Sequence, residues 1–284
     1  MRSLNKRVIV IVLFLILLVI TIILRNPSLL ELDAPQSIIK TEGATEITIN
    51  QTKLTKTQDS WVVASQDNFP ADELKVEQLL SDLSLLTKDN LVSSNPANHS
   101  QYGVGAEGVT LKVGAETLII GDTGPSFSTN YFRLAAEDEV YLVDVSFEPT
   151  VKDPEWRDLS LSFPPSIDRI TIQNNNGEFV FEQKDNNWNI TKPQLENAVD
   201  TRISDLVARI KSMRAEDATV SGEAGSPSVT ITVKGVEGED TLFIGQKEDN
   251  ERLAKLDSLP YIYYLAPSEF GVFLELNNSY FTDK

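Results

Sequence analysis

Gly103, Gly105 and Gly108 stand in the Gly-x-Gly-x-x-Gly spacing of a dinucleotide-binding loop, the one stretch of this chain that could cradle a pyrophosphate. That chemistry needs a strand before the glycines and a helix after them, because the helix N-terminus supplies amide donors and a positive dipole end. Here a polar, proline-containing stretch, residues 93–100, comes before, and the alternating Val109-Thr110-Leu111-Lys112-Val113 follows. Both flanks describe a loop entering a strand, so neither a nucleotide nor any other cofactor is expected. Asp122-Thr123-Gly124 matches the active-site tripeptide of aspartic proteases and follows apolar Leu118-Ile119-Ile120. Acid proteolysis needs two carboxylates sharing a proton, one from each lobe, and the equivalent position in the second half of this chain is Gln246, which cannot ionise. Asp122 therefore reads as a turn residue, and only dimerisation of the first half could supply a second carboxylate. His99 is the single histidine and lies in the polar loop; any Ser-His-Asp triad would have to use it. With no cysteine, thiolate nucleophiles, disulfides and sulfur-ligated metals are excluded. Glu137-Asp138-Glu139 and Glu248-Asp249-Asn250-Glu251 are oxygen-rich but lack the spacing of an EF-hand loop and read as hairpin tips. The sequence thus offers no catalytic residue and no metal ligand set, and the chain reads as a non-enzyme.

The elements that carry these residues occur twice. Trp61 and Trp188 are 127 residues apart, each ahead of a proline, Pro70 and Pro193, that is expected to open a helix. Val76, Leu79, Leu80, Leu83 and Leu86 form one apolar helical face, and Ile203, Leu206, Val207, Ile210 and Met213 repeat it at the same displacement. Strand patterns follow: 109–113 with 229–233, Leu118-Ile119-Ile120-Gly121 with Leu242-Phe243-Ile244-Gly245, Arg133-Leu134-Ala135 with Arg252-Leu253-Ala254, and Tyr141 with Tyr263. The displacements of these pairs are 120, 124, 119 and 122, so the first copy has about seven extra residues around the triple-glycine stretch. A strand pair is expected between 46–49 and 61–63, and Asn174-Asn175-Asn176-Gly177 and Asp185-Asn186-Asn187 are hairpin turns. The order β-β-α followed by strands places the chain in the α+β class: two tandem, similar units, each an antiparallel sheet with one main amphipathic helix. Tyr261, Tyr263, Tyr264, Phe270, Phe273, Tyr280 and Phe281 make the C-terminal region aromatic, most of it for the second core, some of it available as a contact surface.

Residues 8–24 are apolar except for Thr21, long enough at about 1.5 Å per residue to cross a bilayer as a helix. Arg2, Lys6 and Arg7 precede the run, and no small-x-small cleavage site follows it. This predicts an uncleaved single-pass anchor with a cytoplasmic N-terminus and the bulk of the chain extracytoplasmic. The domains expected are 1–25 as tip and anchor, 26–44 as stalk, 45–148 as the first α+β unit, 149–166 as a proline-punctuated connector and 167–284 as the second unit. The formal charge of −17, about −21 beyond residue 25, repels phosphate backbones, so nucleic acid is not an expected partner.

Trp61, Pro70, the Leu79 to Leu86 face, Tyr102-Gly103-Val104, Ile120-Gly121, Tyr131-Phe132-Arg133 and Val140-Tyr141-Leu142-Val143 together resemble the bacterial family called domain of unknown function 4340. The second half has no Tyr-Gly element. The resemblance implies a single-pass membrane protein, in some members a companion of ABC-type systems related to gliding-motility transporters, and it brings no catalytic residue to this chain. The expected function is a membrane-anchored extracytoplasmic scaffold or coupling protein of the bacterial envelope, accessory to an ABC-type transport system, with Tyr102, Gly103 and Val104 as the candidate interaction loop. Its alternatives are a module binding a glycan or peptide and, more remotely, an acid hydrolase using Asp122.

Overall fold

A computed structural model describes residues 37–58, 60–195, 198–245 and 252–282. The apolar run 8–24, Gln246 and the acidic stretch Glu248 to Glu251 lie outside the described residues. No helix within them is long and apolar enough to cross a membrane. The described chain is mostly β, with two antiparallel sheets and a few helices, an α+β-like arrangement. It divides into two compact units, residues 37–56 with 74–154, and residues 57–73 with 155–282.

The strands of the first sheet are β1 (Glu46–Ile49), β2 (Thr52–Lys56), β3 (Trp61–Val63), β4 (Phe69–Pro70), β5 (Leu91–Ser93), β6 (Val109–Val113), β7 (Glu116–Thr123), β8 (Asn130–Leu134) and β9 (Val140–Val143). Their order in the sheet is β4-β3-β2-β1-β6-β7-β8-β9-β5. The second sheet contains β10 (Arg169–Asn174), β11 (Gly177–Lys184), β12 (Asn187–Lys192), β13 (Asp217–Thr219), β14 (Pro227–Gly235), β15 (Gly238–Gly245), β16 (Arg252–Leu256) and β17 (Ile262–Leu265). It runs β12-β11-β10-β14-β15-β16-β17-β13. Matched element by element, with β4 set aside, the two orders are the same. The helices are α1 (Glu73–Ser84) and α2 (Asp200–Lys211), joined in the second unit by α3 (Pro267–Glu275).

Both helix faces read from sequence point inward. Val76, Leu79, Leu83 and Leu86 are fully buried in one unit, and Ile203, Leu206, Val207, Ile210 and Met213 are buried in the other. Against the second face stand Ile170, Ile172, Phe179, Phe181, Ile231 and Val233, the inward residues of three paired strands. Tyr263, Phe270, Phe273 and Phe281 are buried in that same core, and Phe281 lies between Phe179 and Phe181 at ring separations of 5.8 and 5.6 Å. Asn174 Nδ2 donates to the carbonyls of Phe273 and Leu276 at 2.8 and 2.9 Å, satisfying carbonyls that the end of α3 leaves without helical partners.

Three local expectations are corrected. The partner of 46–49 is β2 and not the Trp61 strand: Ile47 faces Leu54, and Asn50 makes the tight turn with a left-handed φ of 52°, which asparagine tolerates. Neither proline opens its helix. Pro70 sits in the end strand β4, opposite Val62, where its missing N–H costs no ladder bond, and Pro193 follows β12; the helices begin at Glu73 and Asp200, acids suited to the positive end of the dipole. Finally, the sheet register matches Arg133 with Lys255, not Arg252, since Arg133 faces Ile119 and Lys255 faces Phe243. Matching the two Arg-Leu-Ala triplets would turn inward Phe132 and Leu134 to the wrong face, and burial overrides the likeness of letters.

In the second unit Arg157 ties several segments together. Its guanidinium donates to Glu155 (Nη2···Oε2 2.5 Å) and to the Ala218 carbonyl at 2.9 Å, pairs with Asp217 at 2.8 Å, and lies 5.7 Å from the Phe69 ring centroid. Burial alone would push the Glu155 carboxyl up, but the bonds from Arg157 outweigh it and hold the group below its ordinary value.

Asp82, in the last turn of α1 and only 7 % exposed, shows the opposite balance: burial pushes its carboxyl up, partly offset by Gln78 Nε2 at 2.7 Å. An anion there faces the negative end of the helix dipole. Because the folded-state value is raised, the penalty is absent below the unfolded value and complete above the folded one. Asp82→Asn is therefore expected to stabilise the first unit by about 0.3–1 kcal/mol near neutral pH, with the gain vanishing as pH falls below about 4. Far-UV circular dichroism of the full chain during denaturation checks this, as the shift in midpoint between the parent chain and Asp82→Asn at neutral and at acid pH.

Candidate functional site

The seven extra residues of the first copy fold as two short 3-10 turns, Pro96–Asn98 and Ser100–Tyr102. Asn95 Oδ1 caps the first by accepting the Ala97 N–H at 3.1 Å. The His99 carbonyl then accepts the N–H groups of Tyr102 and Val104 at 3.2 and 3.0 Å, which curls the chain back toward the sheet. Gly103 completes the curl with a φ of 66°.

The curled loop covers the face of the first sheet that carries Ile119, opposite to that of Leu118 and Ile120. Val104 is fully buried with Ile119 and Val140, and Tyr102 and Tyr131 pack at its margin with ring centroids 4.8 Å apart. Arg133 holds it from below: Nε donates to the Val104 carbonyl at 2.8 Å, and Nη1 donates to the carbonyls of Leu134, Ala135 and Glu137. His99 Nε2 donates to the Asp138 carbonyl at 2.8 Å, so the lone histidine is a tie between this loop and the β8–β9 turn. Such saturation of a guanidinium by backbone oxygens leaves a rigid loop rather than a reactive one.

The glycines of the dinucleotide-like motif act through space, not through phosphate. A Cβ on Gly103 would meet Asp122 N at 2.7 Å, and one on Gly121 would meet the Tyr102 carbonyl at 2.2 Å. Chain crosses chain here at a distance only glycine allows. The same happens in the second unit, where a Cβ on Gly245 would meet the Ala224 carbonyl at 1.7 Å. The Ile-Gly at or near the end of each long strand is thus a crossing point.

Of the residues singled out in sequence, Gly103 and Val104 are buried and Tyr102 is half-buried, so the loop's solvent face is made by neighbours such as Pro96, Ala97, Ser100, Gln101, Ala106 and Glu107. Asp122 is exposed beside Gly103 and hydrogen-bonds no second carboxylate. Among the described residues no three His, Asp or Glu converge as a metal site. One residue that sequence reasoning passed over lies in the same unit: Phe127, 95 % exposed in the β7–β8 turn. Its only signal was a large apolar residue inside the turn-forming run Gly-Pro-Ser-Phe-Ser-Thr. In the second unit Arg169, Thr171, Thr232, Lys234 and Glu239 line a shallow, open groove of about 280 Å³. Arg169 there already pairs with Glu182 at 3.1 Å, so the row is a self-compensating polar sheet face.

The crossing makes a sharp comparison possible. Gly121→Ala must push the loop off the sheet and is expected to cost at least about 2 kcal/mol. Gly271→Ala, with nothing within 4 Å and a helical backbone, should gain about 0.5–1 kcal/mol. Circular dichroism reads the first and tryptophan fluorescence the second; equal effects would refute the steric account.

Comparison with known proteins adds a single positive finding. No curated protein and no solved structure matches this chain. A family model, described as a domain of unknown function (DUF4340), matches residues 61–226, more than half of the chain and including both helices α1 and α2, the 3-10 loop, Gly121 and Arg133. The chain belongs to the family called domain of unknown function 4340.

Proposed function

We propose that this protein is a membrane-anchored extracytoplasmic scaffold or coupling component of a bacterial envelope, serving an ABC-type transport system. The observation that carries the reading is the asymmetry of the two copies. Both copies make the glycine crossing, but one alone carries a longer loop pinned by Arg133 and by the Tyr102–Tyr131 contact. Turnover generally calls for convergent ionisable groups and a concave pocket. A loop held by such bonds suits recognition, because its ordering entropy is already lost before a partner arrives.

The apolar run 8–24 behind three cationic residues supports the anchor, and the formal charge of −17 supports an ectodomain that stays clear of anionic surfaces. Expected partners are proteins of the envelope, with nucleic acid and nucleotide absent from the list. The two tandem units are read as products of one duplication, in which the second keeps the plain form of the module and the first carries the recognition feature.

Two measurements test this. Protease added to spheroplasts should digest a C-terminal tag on the full chain, while a tag before residue 8 survives; protection of the C-terminal tag would overturn the orientation. Mild crosslinking in native membranes, followed by identification, should give a discrete heteromeric product, and recovery of monomer and lipid alone would end the coupling reading.

A further inference from the structure

The β7–β8 turn of the first unit is built to hold an aromatic ring in solvent. Gly124 N donates to Thr129 O at 2.8 Å, closing the turn at its base, and Thr129 N and Oγ1 both donate to Ser126 O at 3.0 and 2.7 Å. Ser128 N donates to Ser126 Oγ at 3.3 Å, and Ser128 Oγ donates to Asp144 Oδ1 at 2.9 Å. Gly124 lets the turn sit down on the sheet, since a Cβ there would meet Leu142 Cδ1 at 2.6 Å. Below it Asn130, fully buried, accepts the Phe147 N–H at 2.9 Å and donates to Gly121 O at 3.3 Å. At the apex Phe127 makes no use of this scaffold and is 95 % exposed.

An exposed phenylalanine on a floppy loop is ordinary, whereas one on a turn fixed by hydrogen bonds at both ends has lost its entropy in advance and has the character of an interface anchor. The surroundings state the partner's charge. At this end of the sheet stand the carboxylates Asp122, Asp144 and Glu148, the last of them paired with Lys152, while Glu137 to Glu139 lie in the turn at the other end of β8. Asp144 supports the turn itself, and Thr123 at its entrance donates to Glu148 at 3.2 Å.

We propose that the turn bearing Phe127 is a protein-docking site that inserts the ring into an apolar pocket rimmed by lysine and arginine on a partner protein. Anionic lipid headgroups would be repelled by the same carboxylates, which disfavours a membrane as the occupant. The inference rests on the coupling reading for the existence of a partner, and adds where it binds and what chemistry it presents.

The test uses the full chain in native membranes with a photo-reactive p-benzoylphenylalanine placed singly at 106, 127 or 236, all exposed positions. The expected result is a discrete protein adduct from 127, mapping to a peptide in which lysine and arginine outnumber acids. With that partner purified, Phe127→Ala should weaken binding at least tenfold, Phe127→Tyr should largely retain it, and raising the salt concentration should weaken it further. An adduct from 106 or 236 but not 127 overturns this inference and leaves the coupling reading standing; no protein adduct from any position overturns both. A lipid adduct at 127, an acidic crosslinked peptide, or unchanged affinity in Phe127→Ala also overturns it.

Discussion

A missing methyl group governs how each module closes. At Gly121 and Gly245 a backbone carbonyl from a preceding loop passes where a Cβ would stand, and any other residue would hold the two chains more than an ångström further apart. That crossing brings the segment after the helix back over the end of the long strand, so the next strand can enter the sheet beside the first. The identical strand order of the two sheets is the visible consequence. Because the crossing is made by backbone, the loop that arrives there is free to differ, and the two copies use that freedom. The second reaches Gly245 by the short path through Ala224, and the first makes two 3-10 turns before Tyr102 arrives at Gly121.

The longer path creates a problem the structure resolves locally. Two turns of polar chain laid on a sheet face would bury carbonyls without partners, at a cost comparable to a lost hydrogen bond for each. Arg133 meets this need at the Val104 carbonyl and ties it to those of Leu134, Ala135 and Glu137 in the β8–β9 turn, and Val104, Ile119 and Val140 supply apolar contact. Lys255, at the matching position in the second unit, carries no comparable loop. The arginine and the insertion are one device, and its rigidity follows from the pairing.

Much of this was legible in the sequence wherever a face had to be buried. The two helical faces, the alternating strands and the repeat itself follow from apolar spacing, which the core enforces. Features set by backbone geometry were harder to read. The three glycines carried a nucleotide-binding spacing by coincidence, and only the distances to Asp122 and Tyr102 show why glycine stands at 103 and 121. The short strand β2 has one buried residue, Leu54, too little apolar signal to compete with Trp61 for the first strand's partner. The Arg-Leu-Ala match failed for a related reason: register answers to the side chains that face the core, and an arginine on the other face has no vote in it.

The family match extends the argument beyond one chain. Its span begins at Trp61 and ends before β14, so it takes in one whole inserted loop, Gly121 and Arg133, but only the first part of the second sheet. A model of that extent describes the elaborated first copy better than the plain second one. The matched span therefore includes Tyr102, Arg133 and the Phe127 turn, all in the first unit. The acidic surface fits that placement. A formal charge of −17 opposes contact with other anionic surfaces, so an exposed aromatic ring beside carboxylates is matched by an apolar surface rimmed with cations.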